Sequence, residues 1–481
     1  MLNYLLKYAG THGITPNYYY QPRECRWVVG LNNKGDIIGV FEGPKLAIQT
    51  PYRRSNAPTP ISQFLLDSAE TVCNWPGKSP KKGYDLQKVA AKHEYFKTLL
   101  RASGFGHIAT SLEEGLNKIQ AHLEAVKAKP SDNLTFSIES MLVLDDPTWR
   151  PWWEKHLDSV TDDLADKEGV CLLTGERTRP LRIHPKIMGL TQIGGGGTGA
   201  ALISFGEPSM CSYGYEEAGN AAISKTAAYT YLGAIQHLMD KSKGESGFIK
   251  TVLGDVMFLF WYDKAKDEND VLACLDTSDG AAEEDSLLRA EKTYQGVHTG
   301  GLPDLVSDHY YIIALTGNIG RVAVIDFDWG EFKTLAKSIY AWFEDLSLVG
   351  AKVPRIGKVL NALQPLQQDG TISYKAKMAT SKTIALWRCA VHGRPLPAWA
   401  IQEAVVRVRS HVVRLKADSY SAYSYYVALN SLLKLHLTRQ GIQMSTGLCE
   451  THPSIAYQCG RFLSAAEQVQ IASNTYNDRN T

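Results

Sequence analysis

The sequence predicts an α+β protein of more than one domain, with a mixed α/β N-terminal and central body followed by a helical C-terminal region. Three observations carry this prediction. The chain has 481 residues, more than one hydrophobic core usually serves. Short apolar runs such as Cys25–Leu31 and Val256–Tyr262 are interleaved with helical periodicity through the first two thirds. From Glu331 onward the pattern is helical, with no clear strand. The expected spans are 1–165, an N-terminal α+β region; 166–330, a central α+β region; and 331–481, the helical region.

Taken in order, Met1–Gly13 reads as a first helix, since it lacks the basic segment and cleavage site of a secretory leader. Cys25–Leu31 and Ile37–Val40 flank Asn32-Asn33-Lys34-Gly35-Asp36, a hairpin signature. A loop, Pro51–Pro60, precedes the mixed apolar segment Ile61–Cys73, and Lys78–Gly83 is a basic turn. Asp85–Ala102 is helical, with Leu86, Val89, Phe96 and Leu99 near one face. A second helix is expected over Leu112–Ala128, where Ser111 and Glu114 fit a capping box.

Phe136–Leu144 reads as a strand, and Asp145-Asp146-Pro147 opens the helix that carries Trp152 and Trp153. The acidic stretch Thr161–Glu168 suits a domain boundary. Lys225–Leu238 is an Ala/Tyr/Leu-rich helix, while Val256–Tyr262 and Tyr310–Phe327 supply strands. Between those strands, Lys264–Asp308 is acidic, Gly-rich and expected to be a long surface excursion. In Ala400–Lys416 an apolar stripe (Val405, Val408, Val412, Leu415) runs beside a basic one (Arg407, His411, Arg414).

Composition narrows the function. Hydrophobic residues make up 44% and charged residues 21%, and the net charge is +1, so the chain is neither disordered nor a polycation. Nucleic-acid binding would have to use local patches. The 8 cysteines include no CxxC pair, which fits reduced thiols in a cytoplasmic protein. No apolar run is long enough to span a membrane.

Cys171–Met239 concentrates the polar and backbone-permissive chemistry. Gly194–Gly197 with Thr198 and Gly199 lacks the Lys-Ser/Thr of a phosphate-binding loop. Gly194, Gly196 and Gly199 match the dinucleotide spacing, but Ala-Ala-Leu-Ile-Ser-Phe follows as a strand. These glycines, Gly195 and Gly196 above all, are expected to let another chain or a phosphodiester backbone approach. Arg182, His184 and Lys186 lie in a run with Arg177 and Arg179 that suits either phosphates or a solvated loop.

Arg53, Arg54, Ser55 and Asn56 stand between prolines on a restrained loop, suited to phosphates or base edges, or to an ordinary solvent role. Cys449, His452 and Cys459 offer three metal donors without a fourth, so buried structural thiols are the better expectation. Neither metal nor cofactor is expected. Asp326 and Asp328, at strand spacing, are the one carboxylate pair a metal-dependent nuclease would use.

Together these segments resemble a known family. The ordered series is Pro51–Ser55 with Phe-Leu-Leu-Asp after it, then CLLTG, HPKIMG, GAALISFG, SYG, and Asn220-Ala221 before an Ala/Tyr-rich helix. It continues with Leu259–Asp263 (LFWYD), Ala314–Val324 (ALTGNIGRVAV) and Ala456–Gln470 (AYQCGRFLSAAEQVQ). The series is similar to the large subunit of the type I-C CRISPR Cascade, an RNA-guided DNA surveillance complex.

The resemblance implies a non-enzymatic subunit near the 5′ end of the guide RNA, beside backbone and guide-capping subunits and a small helical subunit. It would recognise the motif flanking the target in double-stranded DNA, help open the duplex, steady the displaced strand and recruit a separate helicase-nuclease. Arg53, Arg54, Ser55 and Asn56 would then meet the flanking duplex. Arg182, His184, Lys186, Gly195, Gly196, Thr198, Asn318 and Arg321 would meet DNA or a neighbouring subunit, and Arg407, His411 and Arg414 the displaced strand.

The chain departs from the family pattern at Gly206 (usually Asn), Ala222 (usually Pro), Gly317 (usually Pro) and Ile325 (often basic). The family also usually continues into a further helical region, expected here as a separate polypeptide or a removed portion.

Overall fold

The computed structural model describes residues 1–481 apart from 45–47, 53–61, 78–84, 161–163, 166, 198, 212–214, 241–249, 265–270, 276–285, 319, 365–377, 415–419, 443–444, 446 and 479–481. The fold is multidomain α+β with a helical C-terminal region. It packs as two compact units, Met1–Lys186 with Ile203–Ile235, and Ile187–Leu202 with Gln236–Thr481. Among the described residues no helix is long and apolar enough to cross a membrane.

In the first unit the strand Trp27–Leu31 is buried along its whole length, because it has a neighbour on each side. Ile37–Glu42 pairs antiparallel to it and Asn133–Ile138 parallel. A parallel neighbour needs a crossover. Helices Leu86–Ala102 and Gly106–Ala125 supply it. The hairpin turn forms as expected: Asn32 Oδ1 accepts from the N–H groups of Lys34 (2.9 Å) and Asp36 (2.8 Å), and Gly35 takes φ 89°. Phe64 stacks on Trp153 (5.5 Å) and Phe96 on Phe136 (6.3 Å) in the core.

Asp85 caps the first crossover helix by accepting from Lys88 N–H at 3.0 Å. Val89, Phe96 and Leu99 are buried, but Leu86, at the helix's first position, is exposed. The second helix begins at Gly106, six residues before the expected Leu112. Ser111 therefore caps nothing, and its hydroxyl donates back to His107 O at 3.0 Å.

In the second unit a mixed sheet runs, in spatial order, through Ala200–Ala201, Arg321–Glu331, His309–Asn318, Val256–Tyr262 and Lys250–Leu253. One face carries Phe258, Phe260, Tyr310 and Ile312 into a core shared with helices Phe332–Leu346, Thr380–Val391 and Tyr420–Arg439. Trp387 stacks on Phe258 at 4.0 Å, fixing the middle of that contact.

Lys264–Asp308 is not a surface excursion throughout. Val271, Leu272, Leu275, Ala290, Val297 and Leu305 are all buried in this core. Helix Ser286–His298 packs through Tyr294, which stacks on Tyr340 at 5.0 Å. On helix Ala398–Arg414, among the described residues, Ala400 and Ala404 are buried and Val408 of the expected valine stripe packs against the same core, while Val405 is exposed; the side chains of Val412 and Leu415 lie outside the description.

Candidate nucleic-acid interface

The glycine run and the end of the second unit's long hairpin come together. Gly194 closes the turn Thr191–Ile193 at φ 87°, and Gly195 N–H donates to Leu190 O at 2.9 Å. A Cβ on Gly317 would lie 2.5 Å from Gly195 N, and one on Gly194 would lie 3.0 Å from Gly317 O. The close approach expected of another molecule is thus made, at Gly194 and Gly195, by the chain's own hairpin. Gly197 differs, since a Cβ there meets nothing within 4 Å.

Gly199 N–H donates to Gly196 O at 3.0 Å, and the chain continues as the strand Ala200–Ala201, parallel to Arg321. No helix follows the glycines, so the helix N-terminus that cradles a nucleotide phosphate is missing. Asn318 and Arg321 face each other across the hairpin end, both exposed, with Ala201 N–H donating to Gly320 O at 3.2 Å. Half-buried Gly196, exposed Gly197, Asn318 and Arg321 therefore form one ledge of backbone, amide and guanidinium. Thr198 lies outside the described residues.

Ile325 is the extra residue at the irregularity opposite Ala314/Leu315 and packs against the core. Just after it in the strand, Asp326 and Asp328 are both engaged. Asp326 accepts from Arg388 Nε (2.9 Å) and Nη2 (2.6 Å), while Asp328 accepts from Tyr310 Oη (3.0 Å) and lies 3.1 Å from His392 Nε2. Both carboxylates thus bind helix Thr380–Val391 or its cap, and among the described residues no cluster of three donors could hold a metal.

Cys449 is half-buried and Cys459 exposed, rather than buried as expected. Cys459 lies within helix Ile455–Asp478, and Cys449 in the turn before it, where His452 stacks on Tyr457 at 4.2 Å and Tyr457 Oη accepts from Cys449 N–H at 2.9 Å.

In the first unit, Arg182 lies 3.3 Å from Glu217 and Lys186 is half-buried. His184 is only 3% exposed, which in this conformation keeps it from an outside phosphate. Its Nδ1 is 2.7 Å from Tyr231 Oη, and its Nε2 has no partner among the described residues. Burial holds the imidazole down at about 4, against an ordinary 6.5.

The sign follows directly. Above 6.5 the ring is neutral folded or unfolded. As pH falls from 6.5 towards 4 the unfolded chain takes up the proton first, and stability drops by up to about 3 kcal/mol. Denaturant titrations across this window should show a flatter pH dependence for His184→Gln than for the natural chain.

The CLLTG segment is a turn in which Cys171 N–H donates to Glu176 O (2.9 Å) and Gly175 N–H to Cys171 O (2.9 Å). Burial pushes the Cys171 thiol up. Hydrogen bonds from Thr174 and from backbone N–H groups, Ser224 among them, outweigh it and leave the thiol at about 7.

Arg53, Arg54, Ser55 and Asn56 lie outside the described residues, but both ends of their segment are anchored. Tyr52 N–H donates to Tyr19 O (2.6 Å), and Gln63 Nε2 donates to Pro51 O (2.8 Å) and Thr50 Oγ1 (3.1 Å). Arg407 donates to Glu403 at 3.0 Å and its side chain is 19% exposed. His411 and Arg414 continue the same helix, with side chains outside the description.

No curated protein matches the chain. A family model described as CRISPR-associated protein (Cas_Csd1) matches residues 4–481. The chain therefore belongs to the CRISPR-associated Csd1 family, the large-subunit family of the type I-C Cascade.

Proposed function

We propose that this Cascade subunit recognises the protospacer-adjacent motif in double-stranded target DNA, assists duplex opening and R-loop formation, and recruits the helicase-nuclease, without catalysing a reaction itself. The observation that carries the reading is the glycine ledge. Arg321 supplies a cation for a phosphate, Asn318 an amide able to pair with a base edge, and Gly197 a stretch of backbone with no side chain to hold DNA away.

Arg53, Arg54, Ser55 and Asn56 extend the duplex site in this reading. Arg182, Lys186, Arg407, His411 and Arg414 serve the DNA backbone or neighbouring subunits. The guide RNA near its 5′ end, the backbone and guide-capping subunits and a small helical subunit complete the assembly. The engagement of Asp326 and Asp328 by Arg388 and His392 weighs against the nuclease alternative, since a catalytic metal would have to displace both partners.

The test is duplex binding by the assembled complex at several salt concentrations. Arg321→Ala should weaken binding and reduce the log–log salt slope by about one. Asn318→Ala should change the preference among flanking motifs and leave the slope unaltered. Arg53→Ala with Arg54→Ala should abolish duplex binding without blocking assembly. Unchanged, salt-insensitive binding in all three would overturn the reading, as would DNA cleavage by the isolated chain with magnesium or manganese.

A further inference from the structure

The first unit carries a row of aromatic rings with a cation at each end. Tyr18, Tyr19 and Tyr20 are consecutive, with ring centroids 5.8 and 6.2 Å apart, and Trp149 follows at 5.6 Å from Tyr20. Trp149 is buried and the three tyrosines are half-buried. Their hydroxyls fix the row. Tyr18 Oη donates to Thr226 Oγ1 at 3.0 Å, Tyr19 Oη to Asp158 Oδ2 at 3.0 Å, and Tyr20 Oη to Glu154 Oε1.

At one end the Arg150 guanidinium lies 5.6 Å from the centre of the Tyr20 ring and 5.9 Å from that of Trp149, two rings set at 81° to each other. At the other end the Lys225 ammonium lies 5.0 Å from the centre of Tyr18 and 6.0 Å from that of Tyr19. Lys225 is also 3.9 Å from Asp158 Oδ1, whose second oxygen accepts from Tyr19. Arg150 is exposed, and its natural ionic partner stands one helical turn on, at Glu154. That carboxylate accepts from Tyr20 instead. Among the described residues Arg150 therefore makes ring contacts but no hydrogen bond or ion pair.

We propose that Arg150 and Lys225 hold the phosphate backbone of one strand of the target DNA along this row. A guanidinium already ordered by two rings loses less freedom on binding, and it keeps its planar fork of donors for a ligand. The fork suits carboxylates and phosphates alike. Two cations set along one row select the phosphate chain, which carries charge at regular spacing, whereas a lone carboxylate would leave the second cation unused. Strand Tyr20–Arg23 pairs with Ile48–Pro51, with Tyr20 opposite Pro51, and the sequence then leads to Arg53 and Arg54. The inference thus rests on the reading of those two arginines as duplex contacts, and adds two cations from helices of the same unit.

The experiment is duplex binding by the complete complex with guide RNA, titrated over salt, with R53A/R54A alongside. R150A and K225A should each weaken binding at low salt about tenfold, equally for every flanking motif, and reduce the log–log salt slope by about one. The melting temperature of the isolated R150A chain should stay unchanged, since its side chain is exposed. The decisive pair is Y20F and Y20F/E154Q. Y20F keeps the ring but releases Glu154 to capture Arg150, so binding should fall several-fold, and adding E154Q should restore it. A tyrosine with a merely structural role would not be rescued by removing an acid. An unchanged slope in R150A or K225A, no rescue by E154Q, or loss of guide RNA from the variant complexes overturns the proposal, even where R53A/R54A abolishes binding. Normal binding by R53A/R54A beside weakened R150A removes the earlier reading of the arginine pair alone.

Discussion

Arg439→Ala is expected to destabilise the second unit by about 3–5 kcal/mol, the largest stability effect foreseen for a single side chain. Arg439 ends helix Tyr420–Arg439, where a cation also suits the helix dipole. Its Nε donates to Asp345 Oδ2 at 2.9 Å, and the two side chains are only 10% and 15% exposed. Nη1 donates to Cys389 O at 3.0 Å and to Arg394 O as well, and the guanidinium lies 5.7 Å from the centre of the Trp342 ring.

One side chain thus joins helix Phe332–Leu346, the end of helix Thr380–Val391 and the turn after it. Truncation leaves a largely covered carboxylate without its cation and takes a donor from two carbonyls. Arg439→Lys keeps the charge but not the planar fork, and should recover only part of the loss. Urea unfolding of the two variants checks this, and a loss below about 1 kcal/mol for Arg439→Ala would show that Asp345 reaches solvent instead.

Those contacts join residues about ninety positions apart in the chain, between Asp345 and Arg439, and no local pattern announces them. What was legible was local or carried by the motif series. Asn32 and Gly35 specify their turn through an Asx bond and a positive φ, and Asp85 announces a helix because its side chain satisfies an orphan N–H.

The errors have equally local causes. Ser111 and Glu114 match a capping box, yet the real start follows Phe105, which makes no side-chain cap. His184 sits among cations in sequence, and only the packing of Tyr231 against it reveals a core residue. The acidic, glycine-rich composition of Lys264–Asp308 concealed the buried positions Ala290 and Val297.

Gly317→Ala is expected to displace the glycine run and, with it, the proposed DNA ledge. The added Cβ would sit 2.5 Å from Gly195 N and 2.8 Å from its Cα, both backbone atoms that no rotamer change can move aside. Either the turn at Gly194–Gly195 shifts or the hairpin end bends, at about 1–3 kcal/mol for a methyl group forced into filled space.

Gly197→Ala is the matched control, since its Cβ meets nothing within 4 Å and should leave stability nearly unchanged. The pair separates two roles for the run. Gly317→Ala should lower the melting temperature and weaken duplex binding together, whereas Gly197→Ala should weaken duplex binding alone if DNA approaches that backbone. Calorimetry on the isolated chain and duplex titration of the assembled complex read both effects. Full binding by Gly197→Ala would confine the glycines to packing within the chain, and leave Asn318 and Arg321 to meet the DNA by side chain only.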